Sequence, residues 1–494
     1  HTAYRRQRQM CIRDSLHTLS PREHQAARRA YNMSGAAASP AGVPLDEMKD
    51  ITPLNSRTVR ILGQNPNSFT LNGMWLRFWC WIATDAIGTN TYLITPPTDR
   101  VWATRRTLLP AILVDTGDVN EKYTPFLEAA LRGGKVRSDC SPAQPVRITI
   151  TDIVLTHWHH DHVGGTPFVL RLLQKLRQEN PEVAVPRVHK FPEPKTDPSL
   201  FDRMVNVTED AYQPYEGKRG AEAVLWPLVD NKVISVVDPE NPARASSVRA
   251  LYTPGHAADH ACLLLEQDNI LLTGDNVLGR GSTVFEDLVL YLQSLQRAAS
   301  IMAARSPTAG PVYGARPMNE NVLYPGHGPV VGSGRETLKR YIKHRIDREE
   351  QMLALLCCDP NDKEAVTRAT AFSSEVLDEQ PGKVTKIFKP KPHTWTLRQF
   401  ISALYTAYPV RMYPALARGL LLHLQKLAAT AESYKNAPFA LAEPLPASKY
   451  AKSTPRVRCL RMPSYQRTPG TVPDAPLNES SWWEMLDLPW VLIR

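Results

Sequence analysis

The stretch T-H-W-H-H-D-H at Thr156–His162 directly follows a β-rich run at 148–155 and brings four metal-type ligands into six positions. A strand that ends in a loop can direct alternate side chains towards one point. Imidazole and carboxylate groups suit zinc and its neighbours. Four ligands so close in sequence do not fit comfortably around one ion, so we interpret them as two pairs that serve two adjacent metals. The pairs are His157 with His159, and Asp161 with His162.

Three later runs of strand-like sequence also end in a ligand-type residue. S-V-R-A-L-Y-T-P-G-H ends in His256, N-I-L-L-T-G-D ends in Asp275, and N-V-L-Y-P-G-H-G-P contains His327. Four separate strand ends would then deliver ligands to one edge of a sheet structure. This convergence predicts a metal site, whereas a polar loop that is histidine-rich by chance would not be repeated along the chain.

An earlier run, A-I-L-V-D-T-G at 111–117, ends in Asp115. Two interpretations stay open for this aspartate. Its carboxylate could orient a metal-bound histidine from behind, as carboxylates commonly do in metal sites. It could equally be a turn-forming residue without a further role.

The net charge is +10, but its distribution matters more than its total. Residues 1–33 contribute +5 and residues 436–494 contribute +2, which leaves +3 for the long segment between them. A basic protein is often a nucleic-acid binder. Because most of the excess lies in the terminal segments, the charge of the central segment does not by itself indicate RNA binding.

The N-terminal segment is expected to lie outside the fold. R-Q-R-Q-M-C-I-R-D-S at Arg6–Ser15 resembles sequencing-adapter read-through, and the alternative is an Arg-rich transit peptide. We favour the first interpretation and treat residues 1–45 as a disordered or artefactual extension.

Seven cysteines form no C-x-x-C pair, and their odd number suits a reducing compartment. No run of 18 apolar residues exists, so the sequence predicts no transmembrane helix and no membrane partner. We expect the protein in the cytoplasm, with the mitochondrial matrix as the alternative, and not secreted. The sequence does not predict an oligomeric state.

Helical apolar spacing predicts helices at 167–179, 286–304 and 334–356. Residues 360–392 have the charge and proline content of a linker, and residues 393–434 are typical of small packed helices. Residues 436–494 are rich in proline and serine, so we expect a largely irregular tail that can be removed without loss of function.

The motifs T-H-W-H-H-D-H, T-P-G-H, T-G-D-N and Y-P-G-H-G-P resemble those of the metallo-β-lactamase superfamily. The strings at Gly274–Leu288 and Tyr341–Glu349 resemble its lactamase-beta-2-like group. That group includes an animal mitochondrial endoribonuclease and fungal thioesterases that release polyketides from acyl carrier protein. The resemblance covers roughly residues 59–435 and implies an α/β fold, an αββα sandwich followed by a winged-helix-like module. The domains implied are a hydrolase domain at 55–358, the module at 385–435 and the tail at 436–494.

The resemblance also implies two zinc ions and assigns a role to each ligand position. One zinc would take His157, His159 and His256, the other would take Asp161, His162 and His327, and Asp275 would bridge them. Asp161 and Asp275 would be the catalytic residues that orient a metal-bridging hydroxide, with Asp161 able to shuttle its proton. Apart from the resemblance, we expect Asp115 and His260 to contact the ligands from behind, with a surface position as the alternative for His260, and we expect Val284, Phe285 and Glu286 to line the substrate cleft.

Two substrate classes fit this site. The strings T-H-W-H-H-D-H-V-G-G and G-D-N-V-L-G-R-G look most like the fungal thioesterases, so we favour an acyl thioester carried by CoA or acyl carrier protein. The related animal enzyme and the C-terminal module leave single-stranded RNA as the alternative substrate. A non-catalytic metal-bound scaffold is disfavoured because no ligand position is lost.

Residues 74–88, M-W-L-R-F-W-C-W-I-A-T-D-A-I-G, interrupt a string that otherwise resembles the family without a break. Four aromatic residues and a cysteine make an unusual surface loop. A hydrophobic lid over the cleft is one interpretation. We favour an insert that derives from an unspliced intron, which predicts that the mature transcript lacks this segment.

Overall fold

The computed structural model describes most of the chain. The described residues are 48–65, 88–97, 107–134, 144–308, 321–371, 393–406, 408, 410, 413–428, 457–459, 485–487 and 489–492. The predicted extension at 1–45 and residues 74–87 of the predicted insert lie outside them. No helix within these ranges has the length and apolar character needed to cross a membrane.

The first sheet contains seven strands in the order of the sequence, antiparallel from β1 to β4 and parallel from β4 to β7. Parallel neighbours need crossovers, and helices supply two of them. These helices are α1 (Thr124–Leu131), between β4 and β5, and α3 (Thr166–Glu179), between β5 and β6. The strands are β1 (Ile51–Pro53), β2 (Thr58–Leu62), β3 (Asn90–Ile94), β4 (Leu109–Val114), β5 (Ile148–Val154), β6 (Arg187–Lys190) and β7 (Leu225–Pro227).

The second sheet has the order β12-β11-β10-β9-β8, with a parallel pair only between β11 and β12. Helix α5 (Leu288–Ala303) connects β11 to β12, and α6 (Gly334–Leu356) follows β12. The strands are β8 (Val233–Asp238), β9 (Asn241–Tyr252), β10 (Ala261–Leu265), β11 (Ile270–Gly274) and β12 (Leu323–Pro325). Short helices α2 (His160–Val163) and α4 (Asp197–Phe201) lie in the loops after β5 and β6.

Three apolar clusters define the layers. Side chains from both sheets, such as Tyr92 and Leu263, share the central cluster. The outer face of the first sheet packs against α1 and α3, and the outer face of the second packs against α5 and α6. Burial of apolar surface on both faces of each sheet is the main stabilising term for such a stack. Helix, sheet, sheet and helix thus form the four layers that the resemblance implied.

The C-terminal residues form a smaller unit with its own core. Its order is α7 (Lys363–Thr370), β13 (Trp395–Thr396), α8 (Leu397–Leu404), α9 (Tyr413–Ala428), β14 (Val457–Cys459) and β15 (Pro489–Leu492). Thr396 and Gln399 form a reciprocal capping box that fixes the start of α8. The last turns of α6, Met352–Leu356, enter the same core, so this helix belongs to both units.

Two expectations about this region were wrong in detail. Residues 363–370 are a helix rather than a linker, because Ala365 and Ala369 pack into the C-terminal core. The tail after 435 supplies β14 and β15, and β15 is the central strand between β13 and β14. A three-residue or four-residue strand between proline-rich segments shows no periodicity, so the sequence pattern could not reveal it.

Candidate metal centre

The T-H-W-H-H-D-H loop lies where β5 ends, beside the turn that follows β4. Glycine is required just after it, because a Cβ atom on Gly165 would lie 1.9 Å from the Thr116 carbonyl oxygen. Thr116 in turn donates hydrogen bonds from its backbone N and its Oγ1 to the His162 carbonyl. The close approach of the two chain segments therefore fixes the loop against the first sheet.

One cluster brings together three imidazole nitrogens. His157 Nε2 lies 2.9 Å from His159 Nδ1, and His256 Nε2 lies 3.3 Å and 3.0 Å from these two atoms. Two ligands at about 2.05 Å from one tetrahedral zinc ion are about 3.3 Å apart. The triangle of nitrogens therefore has nearly the dimensions of three corners of a zinc tetrahedron.

A second cluster lies beside the first. Asp161 Oδ2 is 3.2 Å from His162 Nε2 and 3.0 Å from His327 Nε2. Within each of two groups, the ligand atoms all lie within 4.8 Å of one another. The first group is His157, His159, His256 and Asp275, and the second is Asp161, His162 and His327. The spacing fits the interpretation of the sequence as two ligand pairs that serve two ions.

Asp275 lies between the two clusters at the end of β11. Its Oδ1 is 3.4 Å from His162 Nε2, and its Oδ2 is 3.4 Å from His327 Nε2 and 3.8 Å from His256 Nε2. The backbone leaves room for this carboxylate, since a Cβ atom on Gly326 would lie 2.3 Å from Asp275 Oδ1. A single carboxylate thus faces both groups of imidazoles.

Several buried polar atoms of this centre have no hydrogen-bond partner among the described residues. Unsatisfied buried polar groups are costly, and such a group of them fits a site that binds a cation. The nitrogens are potential lone-pair donors and the oxygens are carboxylate oxygens, which is the donor set of zinc. The atoms are Asp161 Oδ1, His162 Nε2, Asp275 Oδ1 and His327 Nε2.

The two clusters differ in their electrostatics. Burial lowers the pKa of His157, His159 and His256, which keeps these imidazoles neutral and able to coordinate a cation. Burial also opposes protonation of His162 and His327. The nearby carboxylates outweigh it, so the pKa of His162 lies well above its ordinary value and that of His327 is raised to about 10. The carboxylates therefore make the electrostatic potential at the second cluster more negative than at the first.

Partners behind the ligands fix the imidazole orientations, as is usual in metal sites. Asp115, in the left-handed region at φ 59°, places its Oδ2 2.7 Å from His162 Nδ1 and accepts hydrogen bonds from Thr156. His260 Nε2 accepts the Asp275 backbone N–H at 3.2 Å. Asp115 therefore contacts the predicted ligand His162, and His260 contacts the backbone of the predicted ligand Asp275.

Sequence reasoning did not single out two threonines of this centre. Thr89 Oγ1 donates to Asp161 Oδ2 at 3.1 Å, and Thr283 Oγ1 lies 3.1 Å from His256 Nδ1. Thr89 belongs to the string T-N-T-Y-L, which resembles the family, but a hydroxyl in a β-rich run is an ordinary strand residue. Only the fold brings these hydroxyls to the ligands.

The predicted cleft residues 284–286 have three different positions. The Val284 carbonyl accepts a hydrogen bond from His256 Nδ1 at 2.7 Å. Phe285 does not line a cleft, because its ring is buried and stacks on Tyr291 with centroids 5.2 Å apart. Glu286 is exposed beside Arg418 of α9.

Helix α9 docks the C-terminal unit onto the sandwich close to this loop. Leu422 packs against the cluster under α5 and α6, and the His423 ring meets the Phe285 ring edge-on at 6.5 Å. Lys426 forms a buried ion pair with Glu349 of α6. Arg345 of α6 donates to Ser282 Oγ and to the Thr283 carbonyl, which ties the loop behind His256 to the same helix.

His344 of α6 supplies a test of this packing through the pH dependence of stability. Burial and then the nearby cations Arg345, Arg348 and Lys343 lower its pKa from 6.5 to about 3. Stability from the neutral imidazole is therefore present above pH 6.5 and is lost as the pH falls towards 3. Between pH 7.5 and 5.0 the wild type should lose up to about 2 kcal/mol more unfolding free energy than His344→Gln. Urea unfolding of both zinc-loaded proteins measures this difference, and equal losses would show that His344 is freely protonated in the folded state.

A four-layer α/β sandwich with histidine and aspartate clusters at its strand ends defines a metallo-hydrolase of the β-lactamase type. Residues 110–327 match the sequence profile of the metallo-beta-lactamase superfamily. The chain belongs to this superfamily and is a hydrolase with candidate metal-binding clusters, which confirms the prediction of its family and of an enzyme.

Three relatives illustrate the range of this family. The chain is 30% identical to the lactamase-like protein nscB of Arthroderma otae, over 78% of this chain and 84% of the relative. It is 27% identical to an atrochrysone carboxyl ACP thioesterase of Aspergillus fumigatus, over 67% of this chain and 75% of the relative. It is 31% identical to the beta-lactamase-like protein 2 homolog of Drosophila melanogaster, over 63% of this chain and 78% of the relative.

Proposed function

We propose that the chain is a dinuclear zinc hydrolase that cleaves an acyl thioester, with CoA or acyl carrier protein as the carrier. The observation that carries this proposal is the position of Asp275, whose two oxygens face imidazoles of both clusters. Seven ligand atoms exceed what one tetrahedral ion can use. The proposal therefore assigns His157, His159 and His256 to one zinc, Asp161, His162 and His327 to the other, and Asp275 to both.

Zinc at this centre would supply a water of lowered pKa and polarise the scissile carbonyl. The side chains supply orientation and proton handling. Asp161 is held by Thr89, and its second oxygen has no hydrogen bond within the described residues, so it is free to accept a proton from the attacking water. Asp115 holds His162 in one orientation through Nδ1, and Val284 does the same for His256.

Two observations favour a thioester over RNA. Two of the curated relatives are named as atrochrysone carboxyl ACP thioesterases, at 27% and 26% identity. One of the two α9 cations is also engaged within the protein, since Lys426 pairs with Glu349, and the other, Arg418, lies near the carboxylate of Glu286. A nucleic-acid site would need free cations and stacking aromatic residues.

The resemblance implies a winged-helix-like module at 385–435, and we propose that the C-terminal unit, with helices α8 and α9 and three short strands, is this module. In a helix-turn-helix unit the second helix of the pair normally reads nucleic acid. The corresponding helix here is α9, which packs on the sandwich through Leu422 and His423. We therefore infer that the module forms a wall of the substrate cleft. Location in the cytoplasm or the mitochondrial matrix stays a prediction.

A substrate comparison tests this proposal. The zinc-loaded chain is incubated with acyl-CoA and acyl carrier protein thioesters, and separately with single-stranded RNA. We expect release of free thiol that a chelator abolishes and that zinc restores, with the RNA intact. Cleavage of RNA without thiol release would replace the thioesterase by the endoribonuclease alternative. No hydrolysis of either substrate would contradict both.

A further inference from the structure

One cation next to the metal centre has no carboxylate partner. Arg203 lies in a turn of 3-10 helix at Asp202–Asn206, between β6 and β7. Its Nη2 contacts both nitrogens of the His160 ring, at 3.1 Å from Nε2 and closer to Nδ1. His160 itself separates His159 from Asp161 in sequence. The guanidinium is therefore one residue away from a ligand of each cluster.

Two arginines elsewhere in the protein pair with carboxylates when they leave water, Arg132 with Glu128 and Glu179, and Arg297 with Asp230. Arg203 forms no such ion pair within the described residues, and its buried Nη1 has no hydrogen-bond partner there. Asp118 acts on it only as a more distant charge. Burying a cation without a partner costs free energy, so we expect an anion to bind beside this guanidinium.

Residues of the adjoining loops are at least partly exposed. Val119 is 50% exposed and lies against the loop, because a Cβ atom on Gly164 would meet it at 2.7 Å. His160 is only partly buried, between the exposed surface and the ligands on either side of it. A guanidinium presents parallel N–H groups that match the two oxygens of a carboxylate or phosphate.

We propose that Arg203 is the anchor of an oxyanion subsite, which binds a carboxylate or phosphate group of the substrate beside the metal centre. This inference rests on the proposed thioester hydrolysis and specifies the substrate further. The oxyanion has two possible sources, a carboxylate at the far end of the acyl chain or a phosphate of the carrier arm. His160 positions the guanidinium through the contact with Nη2, and the buried Nη1 is the donor without a partner that the oxyanion would satisfy.

Four substrates separate the two sources. Glutaryl-CoA and pentanoyl-CoA have acyl chains of the same length with and without a terminal carboxylate, and the corresponding N-acetylcysteamine thioesters lack all phosphates. Loss of charge-assisted hydrogen bonds in Arg203→Met should lower kcat/KM about 10- to 100-fold. If Arg203 binds the acyl carboxylate, kcat/KM should fall for the two glutaryl thioesters and stay unchanged for the two pentanoyl thioesters. If Arg203 binds a phosphate of the carrier arm, kcat/KM should fall for the two CoA thioesters and stay unchanged for the two N-acetylcysteamine thioesters. Equal effects on all four substrates, or none, would overturn the subsite.

Two further variants control the experiment. Arg203→Lys keeps the charge and should recover part of the lost kcat/KM, which a purely structural role would not require. Arg177→Met removes an arginine that contacts Asp210, eleven residues along α3 from Thr166 and thus about 16 Å from the start of that helix. This control should leave all four values unchanged.

Direct binding separates failure of the subsite from failure of the thioesterase proposal. Calorimetric titration of the zinc-loaded wild type with glutarate and with inorganic phosphate should give a Kd for at least one anion that rises about tenfold or more in Arg203→Met. If this holds while no thioester is hydrolysed, the subsite stands and the proposed function fails. If thioesters are hydrolysed but neither Kd nor kcat/KM depends on Arg203, the subsite is wrong and the proposed function stands.

Discussion

Replacing Asp275 by alanine is expected to reduce hydrolysis at least about 1000-fold, because this carboxylate faces both ligand clusters and would be shared by the two zinc ions that we propose. The fold should survive, since Asp275 follows the last residue of β11 and its side chain faces the ligand imidazoles instead of an apolar cluster. Zinc content should fall below two ions per chain. Elemental analysis and thiol release measure the two effects on one preparation.

Asp268→Asn is the matched control for this variant. Asp268 lies in the turn before β11, at the opposite end of this strand of about 17 Å, and pairs with Arg57 instead of the metal ligands. It should retain two zinc ions and near wild-type turnover. Asp275→Ala with wild-type turnover, or with two tightly bound zinc ions, would show that this carboxylate does not connect the two sites.

Replacing Trp490 by alanine is expected to destabilise the C-terminal unit by about 3–5 kcal/mol, the usual cost of truncating a buried tryptophan. Trp490 is fully buried in the central strand β15, opposite Trp395 of β13. Removal of residues 436–494 should have a still larger effect, because it deletes two of the three strands of the sheet. This corrects the expectation that the tail is dispensable.

Guanidinium unfolding measures the effect, with Asp487→Ala as the control. Asp487 is exposed and pairs with Arg398 across the surface, so its loss should cost less than about 1 kcal/mol. Activity should fall in Trp490→Ala as well, since α9 of this unit supports the loop behind His256. Unchanged stability and turnover after removal of 436–494 would mean that the sandwich does not depend on these strands.

The metal centre could be predicted from sequence because its chemistry is concentrated in short strings at strand ends. Each of three ligands follows an apolar β-rich run: His256, Asp275 and His327. A polar side chain directly after a buried strand is expected at the edge of the sheet. The outer partners needed the fold, because Asp115 can be recognised as an orienting group only when His162 is found next to it. The same holds for Thr89, which reaches Asp161 across 72 positions of sequence.

Other features escaped prediction for identifiable reasons. The run 284–286 was assigned to the cleft as a unit, but alternate side chains of an extended segment point in opposite directions, so Phe285 faces the core while Glu286 faces outward. Arg203 lies in an irregular, proline-rich region with no periodic pattern. Only its contact with His160, seen in the structure, indicates that it lies near the ligands. The central strand β15 is four residues long and is separated from its partner β13 by more than 90 positions.

The most direct test of the account is a zinc titration of the metal-free full-length chain, with thioester hydrolysis and bound zinc measured at each step. We expect hydrolysis to rise with added zinc and to reach its plateau at two bound ions per chain, because seven ligand groups form two clusters joined by Asp275. A plateau at one ion per chain, or thioester hydrolysis that does not depend on zinc, would contradict the dinuclear hydrolase proposed for this protein.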